Sequence, residues 1–144
     1  MKKALITLAA ILAISALSGC AARVAKNFDD KGLPLENYAI VKGVEDDFYS
    51  VFFLEYAALG QGADKKPKKV GDAFIGYPGA LHLLPGNYYI NVECNAYTGM
   101  GTVSAWLSAR MKLEAGNTYE LECNDVGENK IRLDLDSQYE SIAN

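Results

Sequence analysis

Apolar and polar residues alternate along most of the chain, and the alternation is cleanest near its C-terminal end. From Val103 to Leu113, the residues Val103, Ala105, Leu107, Ala109, Met111 and Leu113 fall on one side of an extended backbone, and Ser104, Trp106, Ser108, Arg110 and Lys112 on the other. Successive side chains of a strand point to opposite faces, so the first set predicts a core face. Beyond Gly116-Asn117, Tyr119, Leu121 and Cys123 continue inward while Glu120 and Glu122 point outward. Pairing Leu113 with Tyr119 sets Lys112 opposite Glu120 and Arg110 opposite Glu122. After Asp125 to Asn129, the run Lys130 to Asp136 places Ile131, Leu133 and Leu135 inward and Arg132 opposite Glu122. Opposite charges facing across strands and a shared apolar face predict a three-stranded antiparallel meander.

A second hairpin is predicted upstream. In Leu84-Pro85-Gly86-Asn87, proline and glycine take the two central positions that a type II turn favours. Leu81 and Leu83 then face Ile90 and Tyr88 on the inside, and His82 and Tyr89 point outward. Tyr38 to Val41 and Phe48 to Leu59 supply further strands, the second with a continuous apolar run, Val51 to Leu54, that suits a central strand covered on both faces. No long 3.6-residue apolar period occurs past the first 19 residues. The expectation is an all-β domain over residues 37–137, built as a two-sheet antiparallel β-sandwich of about seven strands, with a tail at 138–144.

The N-terminal segment breaks this pattern. Lys2 and Lys3 precede an uncharged apolar run, Ala4 to Ala16, and then Leu17-Ser18-Gly19-Cys20. A basic start followed by a short apolar run is the layout of a secretory signal, and the run is shorter than the ~20 residues of a membrane span. Leu17-Ser18-Gly19-Cys20 resembles the lipobox of bacterial lipoproteins, in which a leucine and two small residues precede the cysteine that is lipidated and becomes the first mature residue. The resemblance implies a signal peptide at 1–19, a diacylglycerol thioether on Cys20, and a tether over residues 20–36 interrupted by Gly32 and Pro34. Ala21 follows the cysteine, where Gram-negative lipoproteins retained at the inner membrane usually carry aspartate. The implied location is therefore the outer membrane, facing the periplasm.

Cleavage at that point leaves 125 residues, with 12 basic against 18 acidic side chains and a formal charge of −6. One domain fits that length, and an acidic surface gives no electrostatic basis for nucleic-acid binding. Once Cys20 is lipidated, Cys94 and Cys123 remain as an even pair in an oxidising compartment, both on inward strand faces, which predicts a disulfide. The turns Leu84-Pro85-Gly86-x-Tyr88 and Leu113-x-Ala115-Gly116-x-x-Tyr119, each leading a strand, resemble a pattern in small envelope lipoproteins and in prealbumin-like or carboxypeptidase-regulatory-like sandwiches, over roughly residues 36 to 124. That resemblance implies a fold and a setting and brings no catalytic residue.

The remaining chemistry is sparse. His82 has no serine, cysteine or acid spaced to act beside it and reads as a surface ring packed on Tyr89. Asp46 and Asp47, and Asp134 and Asp136, match no calcium loop and read as turn and strand-face charges. Gly99-Met100-Gly101 lacks the spacing of a phosphate loop, and no cofactor motif is present. Two features suggest an interaction surface: the basic run Lys65, Lys66, Lys68 and Lys69 inside the loop Gly60 to Asp72, suited to anionic headgroups or wall polymer, and Trp106, outward beside Arg110 and able to join Tyr97 in a stacking site. The expectation is a lipid-anchored, non-enzymatic module for an envelope protein or wall partner. The alternative is a small-ligand or glycan binder whose splayed sheets enclose a tyrosine-lined cavity.

Overall fold

A computed structural model describes residues 23–29, 32–60, 66–127 and 130–138 of the chain. The expected signal peptide, Cys20, Ala21, Lys65 and the tail beyond Gln138 lie outside the described residues. Nine strands are present among those described: β1 (Val24–Lys26), β2 (Ala39–Gly43), β3 (Tyr49–Leu59), β4 (Lys68–Lys69), β5 (Ala80–Leu83), β6 (Gly86–Thr98), β7 (Gly101–Leu113), β8 (Thr118–Asp125) and β9 (Ile131–Gln138). They form two sheets that face each other, one ordered β1-β5-β2-β8-β9 and the other β4-β3-β6-β7. The all-β sandwich expected from the alternation is present.

The four-stranded sheet is antiparallel throughout. The five-stranded sheet is mixed, because β1 runs parallel to β5 and β2 parallel to β8. Parallel neighbours need long connections, and here the chain supplies them by crossing between sheets. Leu84-Pro85 is such a crossing: β5 and β6 lie in different sheets, so the expected hairpin is an arch. Proline suits it, having no N–H to offer a ladder. Residues 114–117 form another arch, so β7 pairs with β6 from Gly86↔Leu113 to Thr98↔Gly101 and never with β8. The expected meander therefore keeps only its second half, β8 with β9. There Arg132 opposes Asn124 rather than Glu122. Lys112 opposes Asn87 and bonds Glu114 of its own chain stretch at 2.9 Å.

The inward and outward faces follow the alternation over most of the strands, but Val103 and Leu135, expected inward, are half exposed on β7 and β9, edge strands with a neighbour on one side only. Phe53, Leu81, Leu83, Ile90, Val92 and Leu121 are fully buried between the sheets, and Val41 and Leu113 join them. In an arch, inward residues of the two strands meet across the core instead of side by side, which preserves their parity while changing their partners. At Gly43 β2 passes close against β3 of the other sheet: a Cβ there would sit 2.7 Å from the Val51 carbonyl oxygen. One residue across the ladder from Val51 is Cys94, whose disulfide to Cys123 joins β6 to β8 and hence sheet to sheet, with Cα atoms 5.9 Å apart.

Within the run Val51 to Leu54 the ladder to β6 slips between Phe53 and Glu55, leaving Leu54 as the extra residue of a bulge. Its carbonyl turns out of the ladder and accepts the N–H groups of Val70 at 2.8 Å and Gly71 at 3.1 Å. The bulge thus docks the chain that follows β4 against the sheet. Gly71 is required there, since a Cβ would collide with the Phe53 carbonyl oxygen and the Tyr77 ring. Tyr77 in turn covers the outward face of Phe52, with ring centroids 5.0 Å apart.

Two smaller corrections concern segments expected to be outside the sheets. The tether expected over residues 20–36 includes a strand, β1, which adds to the edge of the five-stranded sheet through β5. Asn27 secures it by donating to the Tyr88 hydroxyl and accepting from the Leu84 N–H, both at 2.8 Å. Part of the Gly60 to Asp72 loop is likewise strand β4, paired with Glu55 and Tyr56 of β3.

Candidate functional site

The structure divides the expected interaction surface between two opposite edges. Lys68 and Lys69 form β4, the edge strand of the four-stranded sheet on the side of β1, whereas Trp106 lies on β7, the edge strand of the other side.

On the first edge the lysines are tied locally. Lys69 pairs with Asp72 at 2.7 Å, and the same carboxylate accepts the N–H groups of Phe74 and Ile75. These three donors, Lys69 foremost, hold the Asp72 carboxyl down at about 2, and the Asp72 carboxylate in turn raises the Lys69 ammonium above its ordinary value. Lys68 donates to the Lys26 carbonyl of β1 at 3.3 Å and lies 5.9 Å above the centre of the Tyr56 ring. The two sheets therefore meet here through a lysine side chain. Arg23, three residues after Cys20, sits on the same side and donates to the carbonyls of Ile75 at 2.8 Å and Gly76 at 3.0 Å.

Toward the other edge, the outward face of β3, β6 and β7 carries an ordered line of polar groups. The Tyr89 hydroxyl donates to Ser108 Oγ at 2.8 Å, Ser108 to Asn91 Oδ1 at 2.7 Å, and Asn91 Nδ2 to Glu55 Oε1 at 2.6 Å. Each bond fixes the direction of the next, and the chain ends on a carboxylate. Trp106 stands beside this line with 80% of its surface exposed. Leu54, Glu55, Tyr89, Asn91, Trp106 and Ser108 border a shallow hollow of about 270 Å³. Arg110 lies opposite Tyr89 on the same face.

Tyr97 does not join Trp106. It opposes Thr102 while Trp106 opposes Glu93, four positions along the ladder and so roughly 13 Å away. Tyr89, not Tyr97, is the aromatic on the polar line. Sequence parity placed Tyr89 outward, but its grouping with Ser108, Asn91 and Glu55 depends on the β3-β6-β7 register, which alternation leaves open.

The other candidates have structural employment. His82 points outward from the five-stranded sheet and stacks on Tyr38 at 5.0 Å, while Tyr89 is in the opposite sheet. Asp46 accepts the N–H groups of Phe48 and Tyr49, both at 2.7 Å, and so closes a turn. Arg132 holds Asp134 at 2.7 Å and keeps its carboxyl below the usual range, with help from Asn124 at 3.0 Å. Tyr56, Tyr88 and Tyr119 belong to the core cluster. Burial raises the Tyr56 and Tyr88 hydroxyls, and Tyr88 donates to the Leu84 carbonyl at 2.8 Å. Among the described residues, no three His, Cys, Asp or Glu side chains gather as a metal site.

Sequence reading missed the Phe74-Ile75 pair, of which Phe74 is 97% exposed. The available signal was Asp72 two residues before an apolar pair and followed by Gly76, the composition of a side-chain-closed turn. Comparison with protein families, with curated proteins and with solved structures finds no match to this chain.

Proposed function

We propose that this protein is a lipid-anchored, non-enzymatic module of the cell envelope, held to the outer membrane through Cys20, facing the periplasm, and presenting the outward face of β3, β6 and β7 to an envelope protein. The observation that carries this reading is Trp106, 80% exposed beside an ordered polar line on the outward face of the sheet. An exposed indole flanked by preoriented hydrogen-bonding groups is the composition of an interface hot spot. The lipobox-like Leu17-Ser18-Gly19-Cys20 supports the anchor, and the Cys94-Cys123 disulfide is in keeping with an oxidising compartment.

Mass spectrometry of the mature protein tests the first half: a chain beginning at Cys20 with acyl mass, and the other two cysteines oxidised, is expected. Unmodified Cys20 would end the anchor reading. A photo-crosslinker placed at Ser104 in intact cells tests the second. A discrete adduct that disappears with Trp106→Ala is expected, and an adduct indifferent to that change rules out this face.

The same face supports a second reading as a glycan binder, because indole and phenol rings beside amide, hydroxyl and carboxylate groups suit the apolar and hydroxyl faces of a sugar. Retention on insoluble cell wall that is lost with Trp106→Ala, with no protein adduct, would favour it over the protein partner.

A further inference from the structure

Phe74 and Ile75 cap the connection from β4 to β5, exposed at 97% and 52%. Their backbone is closed by two side chains, Asp72 from within the turn and Arg23 from outside it. Asp72 Oδ1 accepts both of their N–H groups at 2.8 Å, the Asp72 N–H reaches the Gly76 carbonyl at 3.3 Å, and Arg23 donates to the carbonyls of Ile75 and Gly76. Five backbone groups of the tip, the N–H of Asp72, Phe74 and Ile75 and the carbonyls of Ile75 and Gly76, thus have partners within the chain, while two large apolar side chains are exposed. Backbone groups already paired within the chain lower the cost of moving the two apolar side chains into a medium that offers no hydrogen bonds.

The surroundings match a lipid surface. Arg23 grips the tip and stands three residues from Cys20, a reach of at most about 10 Å. Lys26, Lys66, Lys68 and Lys69 share this edge of a chain whose formal charge is −4, with Asp72 and Glu55 as the carboxylates acting on Lys69. Basic residues beside an apolar tip complement acidic headgroups over acyl chains. We propose that Phe74 and Ile75 insert into the interface of the bilayer that holds Cys20, with Arg23 and the edge lysines against its anionic headgroups. The proposal rests on the lipid-anchor reading and extends it to orientation: the β1 and β4 edge lies on the membrane, and Trp106 faces away.

The test uses the full lipidated protein in vesicles of phosphatidylethanolamine and phosphatidylglycerol. Trp106→Phe combined with Phe74→Trp leaves a single indole, at position 74. Blue-shifted emission, and loss of about half or more of its intensity to lipids brominated high on the acyl chain, are expected. In the otherwise unaltered protein, Trp106 should be quenched little. If acyl mass is found on Cys20 and the protein floats with the vesicles, yet the indole at position 74 emits as in water and is not quenched, the insertion is wrong while the anchor stands. That same outcome is the one expected if the tip seats on a protein. If Cys20 carries no lipid, anchor and insertion fall together. Equal quenching with phosphatidylcholine in place of phosphatidylglycerol would remove the lysines from the contact.

Discussion

Phe74 and Trp106 are both aromatic and nearly fully exposed, but they stand on opposite edges of the sandwich and on different kinds of support. Phe74 rides on a short loop whose backbone is closed by Asp72 and Arg23. Trp106 rides on a long strand, and among the described residues no strand pairs with its outer side. The first is an apolar point on a hydrogen-bonded turn with basic residues near it; the second is a strand face with a line of directed hydrogen bonds. An exposed aromatic is thus informative mainly through what holds it and which polar groups lie beside it.

The contrast can be broken most severely by removing what joins the edges. Replacing both Cys94 and Cys123 by serine opens a 29-residue separation and should cost about 3 to 4 kcal/mol in urea unfolding. Both edges should loosen together. Gly71→Ala acts on one edge alone: its Cβ meets the Phe53 carbonyl, so a loss of about 1 to 3 kcal/mol is expected, with faster amide exchange at Phe74 and Ile75 and unchanged exchange at Asn91 and Ser108. Equal disturbance of both edges would show that they are not independent.

Acid sharpens the comparison further. Asp72 titrates at about 2 in the folded chain, below the ordinary 3.8, so what its charge contributes is present above 3.8 and lost as the pH falls toward 2. Amide protection at Phe74 and Ile75 should therefore decline over that window. Protection that is unchanged at pH 2 would mean that the carboxylate does not close the tip. The smallest effects belong to the aromatics themselves. Phe74→Ser and Trp106→Ala should each change folding stability by no more than about 0.5 kcal/mol, because neither side chain is packed. A loss well above 1 kcal/mol at either site would place that ring in a hydrophobic contact of the folded chain.

Much of the architecture was legible in the residue pattern, for a definite reason. Period-two alternation reports which way a side chain points, and Leu81, Leu83, Ile90, Leu113, Leu121 and Cys123 are buried as it requires. It is silent about which strand lies alongside. The Leu84-Pro85 and Glu114 to Asn117 connections look the same whether the chain turns back in its own sheet or crosses to the other, since the inward residues face the core in both cases. The Leu54 bulge is equally invisible inside an unbroken apolar run. At the candidate site, Trp106 was visible as an outward residue, but Tyr89, Asn91, Ser108 and Glu55 come into line only through the β3-β6-β7 register, in which β6 and β7 are closed by the Gly99-Met100 turn and β3 is shifted by the Leu54 bulge. Phe74 escaped because a single exposed aromatic in a loop has no periodicity to betray it.

The parallel pairings have a consequence for the order in which the molecule can be made. β1 lies against β5, and β2 waits for β8, so both parallel pairs of the five-stranded sheet join strands that are far apart along the chain. A polypeptide that emerges N-terminus first cannot close that sheet until Thr118–Asp125 has arrived. Until then its earliest strands lack their final neighbours, and a narrow channel could thread nearly the whole length before meeting folded resistance.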